Sequence, residues 1–203
     1  MIFILILTSI IISSQININF IYLILFYLIA TVAYSLFLKK IIIIDIIALS
    51  IFYTIRIYAG SEATNILISI WLFTFSVFFF LSLASVKRQI ELVNFTKIKY
   101  LKMKDKNYKF QDLPIITSIA ICSGYISIVI FAFYLNSPET AQLYTNPEYL
   151  WGICFVLIYW ITRTIFLASR GSIHYDPVIF ATKDNSSYAC LVLILSFLIA
   201  GIF

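Results

Sequence analysis

Long, unbroken apolar runs constrain this chain more than any other feature. Between polar breaks the sequence stays apolar for about 20 residues at a time, the length a helix needs to cross a bilayer. The runs carry Ile, Leu and Phe on every face. A soluble domain of 203 residues that is 63% apolar and 11% charged lacks the polar surface to cover its core. In lipid, every backbone polar group must be satisfied internally, which leaves helices or a closed barrel. Barrel strands alternate every second residue over about ten positions. These runs do not alternate, so the expected fold is all-α, a polytopic transmembrane bundle of about seven helices in one domain, 1–203.

The first run, Met1 to Ser13, is short for a span and has no small-residue cleavage site behind it, so it reads as a retained helix. The others are Phe20 to Leu38, Ile41 to Gly60, Ile66 to Val86, Leu113 to Leu135, Leu150 to Ala168 and Tyr188 to Phe203. Between them, Lys87–Asp112 holds eight basic and three acidic residues, whereas Asn136–Tyr149 holds Glu139 and Glu148 and no basic residue. By the positive-inside rule, Lys39-Lys40, Lys87–Asp112 and Ser169–Ser187 lie on the cytoplasmic side of the plasma membrane, and these loops alternate correctly with seven spans. The N-terminus is then inside and the C-terminus outside. The net charge of +5 therefore marks topology, and nucleic acid is not an expected partner. The Lys-rich segment Lys97 to Lys109, interleaved with Tyr100 and Tyr108, reads as a solvated loop or a surface for anionic lipid headgroups. Cys122, Cys154 and Cys190 stand singly in apolar runs and form no ligand pattern.

Charged residues inside spans are costly and usually face an interior. Asp45 and Arg56 share a helix face with Phe52, but about 16 Å of helix separates them, so each needs a partner from elsewhere. Arg163 is a further cation within a span. Tyr34, Lys39 and Lys40 close the second run; such lysines either snorkel to the interface or hold phosphate oxygens. Lys87 and Glu91 are four apart, which suits an intrahelical salt bridge. With Arg88 they would equally suit a diphosphate, the cations meeting phosphate and the carboxylate meeting Mg²⁺. Asp176 and Asp184 follow the lone His174 in the third basic loop and would face the same mouth.

At these residues a resemblance emerges. Tyr34-Ser-Leu-Phe-Leu-Lys39-Lys40, Asp45 and Arg56-Ile-Tyr-Ala-Gly60 look like the middle of a UbiA-superfamily prenyltransferase, closest to the decaprenyl-phosphate phosphoribosyltransferase branch. Phe80-Leu-Ser-Leu-Ala-Ser-Val-Lys87-Arg88-Gln-Ile-Glu91-Leu92 resembles that branch's F-L-A-L-x-K-R-x-x-E-L segment. Asp176-Pro-Val-Ile-Phe-Ala-Thr-Lys-Asp184 resembles its D-P-V-x-F-A-x-x-D segment. Asp112-Leu-Pro and Leu135-Asn-Ser-Pro-Glu139 are similar to a subgroup in which a HAD-type phosphatase domain precedes the transferase.

The resemblance implies a family of nine membrane helices that transfers or modifies polyprenyl groups, with Mg²⁺ gripping a diphosphate at the cytoplasmic face. It implies that Lys87, Arg88 and Glu91 are catalytic, that Tyr34, Lys39, Lys40, Asp45, Arg56 and Arg163 contact substrate, and that Glu91, Asp176 and Asp184 serve metal. Its substrate would be a polyprenyl (di)phosphate, accepting or donating a prenyl or phosphoribosyl group. The family's first motif, of N-D-x-x-D-x-x-x-D type, occurs nowhere in this sequence. The seven runs match the family's third to ninth helices, so the resemblance implies two further helices and the principal Mg²⁺ motif that would be missing in front. Three alternatives remain open: a split enzyme completed by an upstream polypeptide with those helices and a HAD domain, a truncated membrane protein without catalysis, and a small transporter.

Overall fold

The computed structural model describes residues 17–66, 68–97 and 108–203. Among these residues there is no strand, and six helices are long and apolar enough to cross a membrane. The molecule is an all-α multi-pass bundle. The run Met1 to Ser13, which the sequence reading counts as a seventh span, lies outside the described residues, as does most of the Lys-rich segment.

In chain order the helices are α1 (Ile18–Leu36), α2 (Ile44–Thr64), α3 (Ile70–Lys97), α4 (Leu113–Leu135), a short α5 (Pro138–Leu143), α6 (Trp151–Ser169), a short α7 (Pro177–Ala181) and α8 (Asn185–Ile202). Local chemistry sets several of their ends. Asn17 caps α1, and Pro114, Pro138 and Pro177 occupy first-turn positions, where a missing N–H costs nothing. Asn65 ends α2 in the left-handed region at φ 54°.

Several expected boundaries move, two of them at the charged end of the bundle. α3 continues to Lys97 instead of leaving the bundle at Val86, so Lys87, Arg88 and Glu91 stand on helical turns and not on a loop. The reason is burial: Val86, Arg88, Gln89, Ile90 and Leu92 all pack inside. α2 starts at Ile44 instead of Ile41, because Leu38–Lys40 forms a tight 3-10 turn and Ile43 takes φ 69°.

Lipid tails are as apolar as leucine, so close packing and hydrogen bonds hold membrane helices together more than water exclusion does. α3 and α4 share the most extensive contact in the bundle. Small residues line it: Ser82 donates to the Ala120 carbonyl at 2.7 Å, and a Cβ added at Gly124 would sit 2.9 Å from Ser82 Oγ and 2.8 Å from Ile161 Cγ2. The core lies among α3, α4 and α6, around Val86, Ile128, Leu157 and Ile161. α1, by contrast, buries none of its residues and packs on α2.

Candidate functional site: a charged mouth at one end of the bundle

The end of α1, the start of α2, the last turns of α3 and the segment before α7 meet at one end of the bundle, and with them come most of the buried charges. Arg88, on α3, is 1% exposed. Its Nε donates to Asp45 Oδ2, its Nη2 to Asp45 Oδ1 at 2.7 Å and to Tyr34 Oη at 3.2 Å, and its Nη1 to Glu91 Oε2. The Tyr34 hydroxyl in turn donates to Asp45 Oδ1 at 2.6 Å. A planar guanidinium suits this arrangement because its donors form a rigid fork that a carboxylate meets with two oxygens. Asp45 is fully buried on the first turn of α2, where a helix N-terminus also favours a negative charge.

Beside this cluster, Lys87 Nζ reaches Asp176 Oδ2 at 2.6 Å. Asp176 also caps α7 by accepting from the Val178 N–H at 3.0 Å. The spacing-based pairing of Lys87 with Glu91 is thus replaced by two others: Lys87 reaches across to the α7 segment, and Glu91 makes its intrahelical pair with Arg88, three residues before it. Lys87, Ile90, Glu91, Asn94, His174, Tyr175 and Asp176 line a pocket of about 310 Å³. Its α3 wall is one helical stripe, since residues three, four and seven apart share a face. The Asn94 Nδ2 donates to the Ile173 carbonyl at 3.0 Å, and its buried Oδ1 has no partner among the described residues.

The remaining candidates distribute differently. Arg163 binds Asp184 with two hydrogen bonds, at 2.7 and 2.9 Å. Asp184 caps α8 through the Ser187 N–H and hydroxyl, and Ser187 also receives Trp160 Nε1. This pair pins α6 to α8. The Arg163 guanidinium holds the Asp184 carboxyl below the usual carboxylate range. Lys39 and Lys40 sit on the turn joining α1 to α2 and are not among the pocket's lining residues. Arg56 lies farther along α2, exposed, with Nε and Nη2 donating to Tyr27 Oη at 3.1 and 2.7 Å. The face shared by Asp45, Phe52 and Arg56 therefore turns inward only at Asp45 and Phe52, and Arg56 stands at the α1–α2 edge.

A bound Mg²⁺ does not fit the carboxylates proposed for it. Glu91, Asp176 and Asp184 each accept from a cation of this chain. Among the described residues no three His, Cys, Asp or Glu side chains gather where a metal could be held. Mg²⁺ demands near-octahedral oxygen ligation, which these separated carboxylates do not supply.

Spacing alone did not single out Tyr27, Asn94 or Tyr108. Tyr27 lies two turns before Tyr34, and Asn94 two turns after Lys87, so the seven-residue interval carried the signal for both. Nothing local announced Tyr108, whose hydroxyl accepts from the Ile43 N–H at 2.9 Å across 65 residues of chain. Burial pushes the Tyr108 phenol above its ordinary value.

No family model matches the chain. A stretch of 116 residues, 56% of the chain, is 29% identical to the nodulation protein NoeC of Azorhizobium caulinodans and covers 37% of that protein. A stretch of 119 residues, 58% of the chain, is 31% identical to the uncharacterized protein y4nM of Sinorhizobium fredii and covers 23% of it. The chain spans well under half the length of these curated relatives.

Proposed function

We propose that this chain is a UbiA-like membrane protein that holds a polyprenyl (di)phosphate, with the charged mouth taking the phosphate at the cytoplasmic face of the plasma membrane. One observation carries the reading. The three segments on which the resemblance rests lie far apart in sequence, and Tyr34–Asp45, Lys87–Glu91 and the start of Asp176–Asp184 meet at one end of an apolar bundle. Their meeting at one end supports the reading.

In this reading Lys87, about a third exposed at the rim, is the cation that exchanges its carboxylate for a ligand's phosphate. Arg88 is too deeply paired to leave Asp45, so it positions Tyr34 and Glu91. The lipid tail lies against the Ile- and Phe-rich helices. The related transferases move a prenyl or phosphoribosyl group, and that reaction is the one we propose for the complete assembly, together with an upstream polypeptide. Positioning and charge neutralisation would supply most of the catalysis. The saturation of Glu91, Asp176 and Asp184 by this chain's own cations favours a second reading, binding without turnover.

The test is equilibrium binding of geranylgeranyl diphosphate and geranylgeraniol to the purified chain in detergent. The proposal expects the diphosphate to bind more tightly than the alcohol, with the preference cut about tenfold in Lys87→Ala. Equal binding of both compounds removes the phosphate-holding role. Diphosphate binding without transfer, even after co-expression with an upstream polypeptide, selects the second reading.

A further inference from the structure

We infer that the end of the bundle away from the charged mouth holds one glycerophospholipid of the surrounding bilayer, an acyl chain filling a second pocket and its ester carbonyl meeting Trp71, Tyr134 and Tyr144. The inference does not rest on the proposed phosphate-bearing ligand at the mouth.

This second pocket measures about 630 Å³ and lies where α2, α4 and α8 near their ends and α3 and α6 begin. On α3, Trp71 precedes Lys87 by about 24 Å of helix, so the two pockets stand at opposite ends of the bundle. Phe75, Phe131, Ile153, Leu157, Ile194 and Leu198 give it apolar walls, and among the described residues no charged side chain lines it. α2 packs on α3 and α8 packs on α6, whereas α2 and α8 make no comparable contact with each other. The pocket thus adjoins the bilayer between these two spans. Its volume suits a small ligand, and apolar walls exclude water. A lipid chain is the occupant that both the walls and the surroundings favour.

The hydrogen-bond donors narrow the choice. Trp71 is the second residue of α3, Tyr134 the last but one of α4, and Tyr144 follows α5. Indole and phenol groups concentrate at this depth of a membrane, level with the headgroups. These three line the pocket, and none of their N–H or O–H groups meets an acceptor among the described residues. The Ser61 and Thr64 hydroxyls on the same rim differ, since each donates to a backbone carbonyl. Burial and the neighbouring Tyr134 hold the Tyr144 phenol above its ordinary value, which places the two rings side by side.

An indole N–H only donates, so the ligand must bring an acceptor. A phosphate would find no cation here. A bare prenyl chain would match the walls and leave the donors unmatched. The ester carbonyl of a glycerolipid is a neutral acceptor at the junction of chain and headgroup, the same depth as the three donors.

The experiment uses the full chain purified in a maltoside detergent, with bound lipid counted by native mass spectrometry. The probes are dioleoyl phosphatidylcholine and its diether analogue, which has the same chains and headgroup but no ester carbonyl. The expected result is one diester lipid retained per chain, held about tenfold more tightly than the diether, the scale of two neutral hydrogen bonds. Tyr134→Phe combined with Tyr144→Phe should remove most of that preference. Leu157→Trp, which fills the pocket, should lower retention of both lipids. Equal retention of the two lipids by the wild-type chain overturns the inference, as does an undiminished ester preference in the double variant. If the double variant fails to fold, the ester–ether comparison on the wild-type chain decides alone. One-for-one release of the lipid by geranylgeranyl diphosphate would assign the pocket to the tail of a ligand held at the mouth and overturn the lipid site.

Discussion

Arg88 on α3 and Asp45 on α2 hold each other through two hydrogen bonds while 1% and 0% of their side chains remain exposed. Two helices that are also joined farther along by the Ser50 hydroxyl donating to the Val77 carbonyl at 2.7 Å are thereby locked in register at the charged mouth. The pair also fixes Tyr34 and Glu91, so one buried interaction organises this four-residue cluster.

Removing one partner leaves the other charge buried and alone. Arg88→Ala should therefore destabilise the chain by roughly 3–5 kcal/mol. Replacing both partners by apolar residues of similar volume, Arg88→Met with Asp45→Leu, should recover most of that loss, because no unpaired charge remains. The double variant should still fail to bind the diphosphate, since Tyr34 and Glu91 lose their common anchor. Thermal unfolding in detergent measures the first effect and ligand binding the second. Full binding by the double variant would limit the pair to a structural role.

Lys87 and Asp176 form the opposite kind of pair, partly exposed at 31% and 19%. Solvent screening limits such a pair to about 0.5 kcal/mol, so Lys87→Ala should melt close to the wild type. Its diphosphate affinity should fall about tenfold, the scale of a charge-assisted phosphate contact. Lys87→Arg should keep most of the affinity. A variant that melts normally and binds normally would take Lys87 out of the site.

The sequence made the bundle legible because apolar run length is a local property, and α4 falls on Leu113–Leu135, the run read from composition. It also showed that Asp45 and Arg56 could not pair with each other. It did not show that Asp45 belongs to Arg88, since that contact spans 43 residues and no local pattern encodes it. The metal role of Asp184 came from the resemblance, not from local pattern. Locally Asp184 is one more acidic residue near Asp176, and only the packing of α6 on α8 brings Arg163 to it. The start of the polar stretch at Lys87 was misplaced as the end of α3 because polarity suggested solvent, whereas Arg88 and Gln89 are polar residues packed inside.

Acid should loosen the α6–α8 contact. The Asp184 carboxyl is held below its ordinary value, chiefly by the Arg163 hydrogen bonds and further by Ser187. A lowered carboxylate adds stability that is complete above its unfolded value and is lost as the pH falls through its folded one. Melting temperature should therefore decline as the pH drops from about 5 toward the lowered value. Asp184→Asn should melt lower at neutral pH and show a shallower decline in acid. An unchanged acid limb in that variant would place the sensitivity elsewhere.

The tightest backbone in the mouth is at Ile43. Its φ of 69° and ψ of −48° form a γ-turn closed by the Ile44 N–H and the Ile42 carbonyl at 2.8 Å, a conformation that a β-branched residue adopts only under constraint. The constraint is visible in the Tyr108 hydroxyl that accepts from the Ile43 N–H. Ile43 is half exposed, so little packing is lost when its side chain is removed. Ile43→Gly should accordingly stabilise the chain by about 1 kcal/mol, because glycine reaches positive φ without a Cβ penalty. Tyr108→Phe should cost about 1 kcal/mol by leaving the Ile43 N–H without its acceptor. In combination the two should fall short of additivity, since a relaxed turn no longer needs the hydroxyl to hold it. Thermal unfolding of the two single variants and the double closes this cycle. Strict additivity would mean that Tyr108 and the strained turn stabilise the mouth independently.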